Sequence, residues 1–493
     1  MIIISLSLLS LINGSSDFST IFNRFELKFD QYVEDIAFED INEDQLKDIF
    51  LFTKVNDKKE LHLFFQSKHG FSLTPSQTLA FEDKAIIFDV ANLLDQYPGK
   101  EIVFLTSSAL KSYCFQNGSY SREPIKLMDI SSLFQFPSPE SPVRSKFIWN
   151  IGGETYLFIP APGSLKILGK NKNETFGEIQ QIHLEPIFSV RSHLRISEDL
   201  ETYESFSQKV IIQVPRLYLE DFNGDGRKDL LSLFEDKIKV FYQHENKIFS
   251  EEPNFELELG VLTDEEKKSS SPPFYKVLAM DLNNDNLIDL LASKSQIRTM
   301  KSLSKLYIYL NKKGKIEPTP DQILVNESFF GFPEVLDVNG DHYQDLVISE
   351  IKMGLFQIFK MLLTKKITYE DVIFLGKNGR FPLIPASRIR SEVIVDFDNP
   401  EKSEGDVAFF NGDFNRDGIK DVLRKIEGKN EITISLGRLE GKDLKFSDKA
   451  TYLIKEELSS RVILEDLNQD NVTDLVLDFR KDKKKKIVIF LSK

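Results

Sequence analysis

Six nine-residue segments share the pattern Asp-x-Asn-x-Asp-x-x-x-Asp. Positions 1, 3, 5, 7 and 9 are Asp40, Asn42, Asp44, Leu46 and Asp48 in the first, and Asp221, Asn223, Asp225, Arg227 and Asp229 in the second. The third has Asp281, Asn283, Asp285, Leu287 and Asp289, and the fourth Asp337, Asn339, Asp341, Tyr343 and Asp345. Asp413, Asn415, Asp417, Ile419 and Asp421 make the fifth, and Asp466, Asn468, Asp470, Val472 and Asp474 the sixth. Each offers side-chain oxygens at positions 1, 3, 5 and 9, and a backbone carbonyl at position 7. An all-oxygen set with three carboxylates suits a hard divalent cation of high coordination number, so Ca²⁺ ahead of Mg²⁺ and well ahead of Zn²⁺. Alternate donors turn inward only if the backbone curls, which asks for permissive torsions at positions 4 and 6. Position 6 is Gly226, Gly418, Asn286, Asn471 or His342, all tolerant of positive φ, and Gln45 in the first segment departs. The plainer alternative is a set of metal-free Asx turns.

The flanks say what holds these loops. An apolar run precedes each, and a stronger apolar, β-branched and aromatic run follows, then a turn and a third strand-like run. An EF-hand would need helical flanks and an acid at position 12, which is Leu51, Ser232, Ala292, Ile348, Arg424 or Leu477. Position 2 is always apolar, suggesting a side chain pinned in the sheet core below the loop. The unit is about four strands with an acidic loop between the first and second. The 181-residue step from Asp40 to Asp221 leaves room for two more units, near 85–105 and 146–168, with degenerate or missing loops. Eight units result, or seven if the third is not a blade. The last ends after three strands, and residues 22–29 supply an unassigned strand that would complete it. The fold expected is all-β: a single β-propeller of four-stranded blades, closed by its N-terminal strand.

Composition narrows the function. The 493-residue chain has a formal charge of −14, against nucleic acid as partner. Six histidines and Cys114 alone cannot build a zinc array, an iron–sulfur cluster or a disulfide framework. Six Ca²⁺ would bring the charge to about −2. Residues 2–12 form an apolar run followed by Asn13, Gly14, Ser15 and Ser16, read as a signal peptide over 1–16 with the propeller over 17–493. A buried first strand and a misplaced start codon are the alternatives. The expectation is an exported bacterial protein, without a membrane span and monomeric.

The segments 219–231 and 411–423 resemble the FG-GAP/VCBS repeats of integrin α-subunit propellers and of many exported bacterial proteins. The Phe-Gly and Gly-Ala-Pro elements that name the family are largely absent, so the resemblance rests on the loop. It implies a calcium-stabilised propeller at the cell surface, in the periplasm or outside, binding a protein or glycan ligand. No nucleophile elbow, metalloprotease motif, P-loop or dinucleotide fingerprint occurs. The reading is a non-catalytic binding or adhesion module carrying up to six Ca²⁺. A polysaccharide lyase-like propeller and a purely structural scaffold are the alternatives. Segments 131–145, 191–208, 264–273 and 384–404 read as long insertions where function could sit. The basic run 480–486 reads as a solvated hairpin turn.

Overall fold

A computed structural model describes residues 16–493 apart from 32, 57, 134–140, 172–174, 185–186, 197–202, 246–247, 270–271, 299–300, 353, 395–403, 427–430, 457–460 and 480–484. The apolar N-terminal run and most of the 480–486 turn lie outside the described residues. No helix among the described residues is long and apolar enough to cross a membrane.

Strands of three to ten residues build eight blade sheets, each antiparallel through its four blade strands. Blade 1 is Val33–Glu39, Asp48–Val55, Lys58–Phe64 and Gln77–Ala80. Blade 2 is Ile87–Ala91, Glu101–Leu105, Ala109–Tyr113 and Ile125–Asp129, with Val143–Arg144 added in parallel to the first strand. Blade 3 is Ile148–Ile151, Glu154–Ala161, Ser164–Lys170 and Phe176–His183, so the third unit is a blade and the count is eight. Blade 4 starts with Arg216–Glu220 and Asp229–Phe234, and blade 5 with Phe274–Met280 and Asp289–Arg298. Blade 6 is built on Glu334–Leu336, Asp345–Ile351, Lys366–Phe374 and Ser387–Ile394. Blade 7 begins with Val407–Gly412 and Asp421–Ile426.

Blade 8 has only three strands from the chain's end: Arg461–Glu465, Asp474–Asp478 and Lys486–Ser492. Its fourth is Phe22–Lys28, antiparallel to Lys486–Ser492 with Phe22 opposite Ser492. The N-terminal strand therefore closes the ring and covers an edge that would otherwise be a template for other chains. Just before it, Ser16–Asp17 pairs with the outer strand of blade 7. Phe18 and Phe22 stack 4.0 Å apart in the core shared by blades 7 and 8.

Blades pack face to face through aromatic side chains. Between blades 1 and 2, Phe52 meets Phe81 edge-on at 5.3 Å, and Phe81 lies 5.2 Å from Phe104. Gly70 shows how tight the closing seam is. Its φ is +87°, and a Cβ there would stand 2.1 Å from the Phe25 ring of the closing strand. Gly70→Ala is expected to cost about 3 kcal/mol, from left-handed backbone strain plus overpacking, measured by urea unfolding.

Two of the four expected insertions contain strands. Residues 191–196 and 203–208 lie in two paired strands, Ile187–Ile196 and Tyr203–Gln213, between blades 3 and 4 in the chain. The 384–404 segment contains the fourth strand of blade 6. In both, apolar residues are sparse, with only Leu194, Ile196, Tyr203 and Phe206 in the described part of the first and Ile389, Val393 and Ile394 in the strand of the second, so the period-2 strand signal is weak. The 264–273 segment carries a one-turn helix, Asp264–Lys268, whose Thr263 and Glu266 form a reciprocal capping box.

Candidate metal centre: six acidic loops between first and second strands

Each of the six loops joins a blade's first strand to its second, as the flanks predict. The position 2 side chains are buried: Ile41, Phe222, Leu282, Val338 and Leu467 at 0% exposure and Phe414 at 3%. The curl forms where expected. φ at position 6 is +71° at Gln45, +82° at Gly226, +65° at Asn286, +68° at His342, +83° at Gly418 and +66° at Asn471. Position 4 is also left-handed throughout, at Glu43, Gly224, Asn284, Gly340, Arg416 and Gln469.

The second loop shows the internal wiring. Asp221 accepts the Gly224 and Gly226 N–H on its two oxygens, at 2.7 and 2.8 Å. Asn223 Oδ1 accepts the Asp225 N–H at 2.8 Å, and Asp225 Oδ1 accepts the Arg227 N–H at 2.9 Å. Asn223 Nδ2 donates to Asp225 Oδ2 at 3.2 Å. The same pattern recurs at Asp337, Asn339 and Asp341 and at Asp413, Asn415 and Asp417, and also at Asp40, Asn42 and Asp44 and at Asp281, Asn283 and Asp285, except that there Oδ1 of the first aspartate accepts the position 5 N–H, of Asp44 and Asp285, in place of the position 4 N–H. The sixth loop varies: Asn468 Nδ2 turns to Ser492, whose hydroxyl donates to Asp470 at 2.9 Å. Asp225 also holds the Arg227 guanidinium at 2.8 Å. Burial opposes ionisation slightly, but the N–H groups and guanidinium hold its carboxyl below the ordinary range.

Position 9 has a separate job. Asp48, Asp229, Asp289, Asp345, Asp421 and Asp474 are all 0% exposed. One oxygen of each accepts the position 2 N–H of its own loop: Ile41, Phe222, Leu282, Val338, Phe414 and Leu467, at 2.7 to 3.1 Å. The other accepts an N–H at the exit of the third strand: Gln66, Gln243, Asn311, Gly376, Gly437 and Ser492, at 2.7 to 2.9 Å. The residue therefore staples its loop to its blade. Burial, reinforced by loop carboxylates nearby, outweighs these N–H groups. It pushes the carboxyl up to about 7 at Asp48, Asp289, Asp345 and Asp421, and to about 6 at Asp229 and Asp474.

Adjacent loops also grip one another. The Lys47 N–H donates to the Leu467 carbonyl at 2.8 Å, across the ring seam. Lys420 does the same to Val338 at 2.7 Å, and Thr473 to Asp413 at 2.8 Å. Gly340 sits so close to the next loop that a Cβ would meet the Gly418 carbonyl oxygen at 2.7 Å.

Glu101 belongs to this system and sequence reading missed it. It opens the second strand of blade 2, is 0% exposed, and accepts the Leu93 and Leu94 N–H at 2.7 and 3.3 Å. The Lys100 N–H beside it donates to the Ile41 carbonyl, copying the contact made by Lys420. An acid at the head of a second strand was the available signal; the degenerate loop before it hid the register. Burial pushes Glu101 up to about 6.

The donor chemistry fits a hard cation. Each loop presents oxygens only, its backbone already curls, and position 5 is exposed in five loops and half-buried at Asp470. Against this, the acids turn toward their own backbone N–H groups. Among the described residues no three His, Cys, Asp or Glu side chains are gathered as a ligating cluster.

The raised position 9 carboxyls set a pH dependence. A carboxyl with a folded-state pKa above its unfolded value of about 4 stabilises the fold at low pH, and that contribution fades as pH climbs through the folded value. Metal-depleted protein is therefore expected to lose melting temperature from about pH 4 to just above pH 7. A melting temperature that rises across that window would contradict the assignment of these six groups.

Residues 221–292, spanning the second and third loops, match the model of the FG-GAP-like repeat. No curated protein matches. Among solved structures, the chain is similar to a protein titled as a candidate 6-phosphogluconolactonase from Bacteroides fragilis NCTC 9343, with 12% identity and a TM-score of 0.32, covering 86% of this chain and 98% of that one. A protein with the same description from Bacteroides uniformis ATCC 8492 gives 12%, 0.33, 87% and 98%. A Lactobacillus plantarum protein gives 10%, 0.32, 88% and 99%. These likenesses say nothing of what the present chain acts on.

Proposed function

We propose that this eight-bladed propeller with its FG-GAP-like repeat is a non-catalytic binding module, exported from the cell, whose acidic loops take up Ca²⁺ and are rigidified by it. The observation that supports this most is the sixfold recurrence of one loop: oxygen donors at positions 1, 3 and 5, all exposed or half-buried except the buried Asp413, above a buried, stapling aspartate. In the second loop Asp221, Asn223 and Asp225 would hold the ion, with the Arg227 carbonyl. The equivalent residues serve in the other five, and Asp229 and its counterparts lie beneath. Bound calcium supplies positive charge where carboxylates crowd, so it stabilises the folded ring. The protein's own residues position the loops: the position 2 side chain anchors each below, and position 9 ties it to the third strand.

A ligand surface compatible with this reading lies between blades 3 and 4. An open cleft of about 680 Å³ is lined by polar groups including Glu154, Tyr156, Gln181 and Gln243. Amides, carboxylates and one aromatic face suit sugar hydroxyls, which favours glycan over protein as ligand. The test is a panel of immobilised and soluble polysaccharides. Retention without turnover is the expected result. Turnover that survives Asp225→Ala and Asp341→Ala would favour an enzyme instead.

A further inference from the structure

The helix Leu355–Thr364 interrupts blade 6 between its second and third strands, and it is the one helix of more than two turns among the described residues. Phe359, Leu362 and Leu363 share a face through their i, i+3 and i+4 spacing. They are 61%, 62% and 69% exposed. Three large apolar side chains side by side on a helix are costly to leave in water. Charge around them runs against the rest of the chain. Residues 352–366 contain Lys352, Lys360, Lys365 and Lys366 and no acid, in a protein of net charge −14. Lys352 and Lys366 reach Glu370 and Glu392 at 3.5 Å. Lys360 and Lys365 have no carboxylate partner among the described residues, and both are exposed.

Topology places this helix away from the acidic loops. The blade 6 loop ends at Asp345, and the strand Asp345–Ile351 then carries the chain roughly 20 Å to the opposite face before the helix begins. The acidic face thus points away from whatever the helix meets.

We propose that the helix docks on a lipid surface bearing anionic headgroups. Phe359, Leu362 and Leu363 enter the acyl boundary while Lys360 and Lys365 face the headgroups. An interfacial helix has this chemistry: an apolar face, flanking cations and no spanning length. Anionic lipid is the occupant that matches both features, since an apolar protein groove would not call for the lysines.

The test is co-sedimentation with vesicles of phosphatidylcholine alone and of equal parts phosphatidylcholine and phosphatidylserine. EGTA is present so that calcium cannot bridge the acidic loops to the lipid. Partition onto the anionic vesicles is expected to exceed that onto the neutral ones at least by about tenfold, and to weaken with salt. Leu362→Asp/Leu363→Asp should abolish it. Lys360→Glu/Lys365→Glu should lower it by about twentyfold or more, at about fivefold per lost lysine. All four side chains are exposed, so melting temperature should stay unchanged; if the leucine variant unfolds, the lysine variant decides. Equal binding to both vesicle types, or binding that survives the lysine variant, overturns the proposal. So does a chain that ignores vesicles and instead dimerises through this helix in sedimentation velocity.

Discussion

Millimolar calcium added to metal-depleted protein is expected to raise the melting temperature by on the order of 15 °C. A ligand at a hundredfold over its dissociation constant stabilises by about 2.7 kcal/mol per site, so six sites would sum to about 16 kcal/mol. For a chain of this length each kcal/mol moves the midpoint by roughly 1 °C or somewhat more. Loops on adjacent blades are hydrogen-bonded, as at Lys47 with Leu467 and Lys420 with Val338, so binding at one loop should steady its neighbours. Scanning calorimetry with calcium and with EGTA measures this. Magnesium should give a much smaller shift, because it demands near-ideal octahedral geometry and sheds its waters reluctantly.

Positions 5 and 9 of one loop should respond to substitution in opposite ways with respect to metal. Asp345→Ala leaves the Val338 and Gly376 N–H groups buried without an acceptor. Each orphaned donor costs about 1–3 kcal/mol, so about 4 kcal/mol should be lost whether or not calcium is present. Asp341→Ala removes an exposed side chain that accepts the Tyr343 N–H and the Asn339 Nδ2, both within the loop. In EGTA it should cost about 1 kcal/mol. In calcium it should cost about 3 kcal/mol more, since one site is lost. Urea unfolding of both variants in both buffers gives the four numbers. Equal costs for Asp341→Ala with and without calcium would mean that this loop is an Asx turn and nothing more.

The loops and the ring were legible because their signals are local and repeated. Asp, Asn and Asp at alternate positions, an apolar residue between the first two, and a β-prone run after the ninth recur six times. The closing strand was legible by subtraction, since the last unit lacked a partner and residues 22–29 had none. What stayed hidden depended on three-dimensional neighbours. The spacing made position 9 one donor among several. Only the fold shows that the two oxygens of Asp229 accept backbone N–H groups from its own loop, at Phe222, and from the exit of the third strand, at Gln243. Glu101 was hidden because the loop before it has no repeat register. The paired strands Ile187–Ile196 and Tyr203–Gln213 were passed over because they pair only with each other, so no blade pattern called for them. The helix Leu355–Thr364 was not assigned at all: an apolar run after a second strand looks like the blade's next strand when ten residues are judged by hydrophobicity alone.

The most direct measurement is the number of calcium ions held per chain, from equilibrium dialysis followed by elemental analysis, on the natural sequence and on a variant with Asp225, Asp341 and Asp417 replaced by alanine. Up to six ions are expected on the first, and three fewer on the second with its fold intact. A natural chain that holds none at millimolar calcium would mean that the loops are not calcium sites.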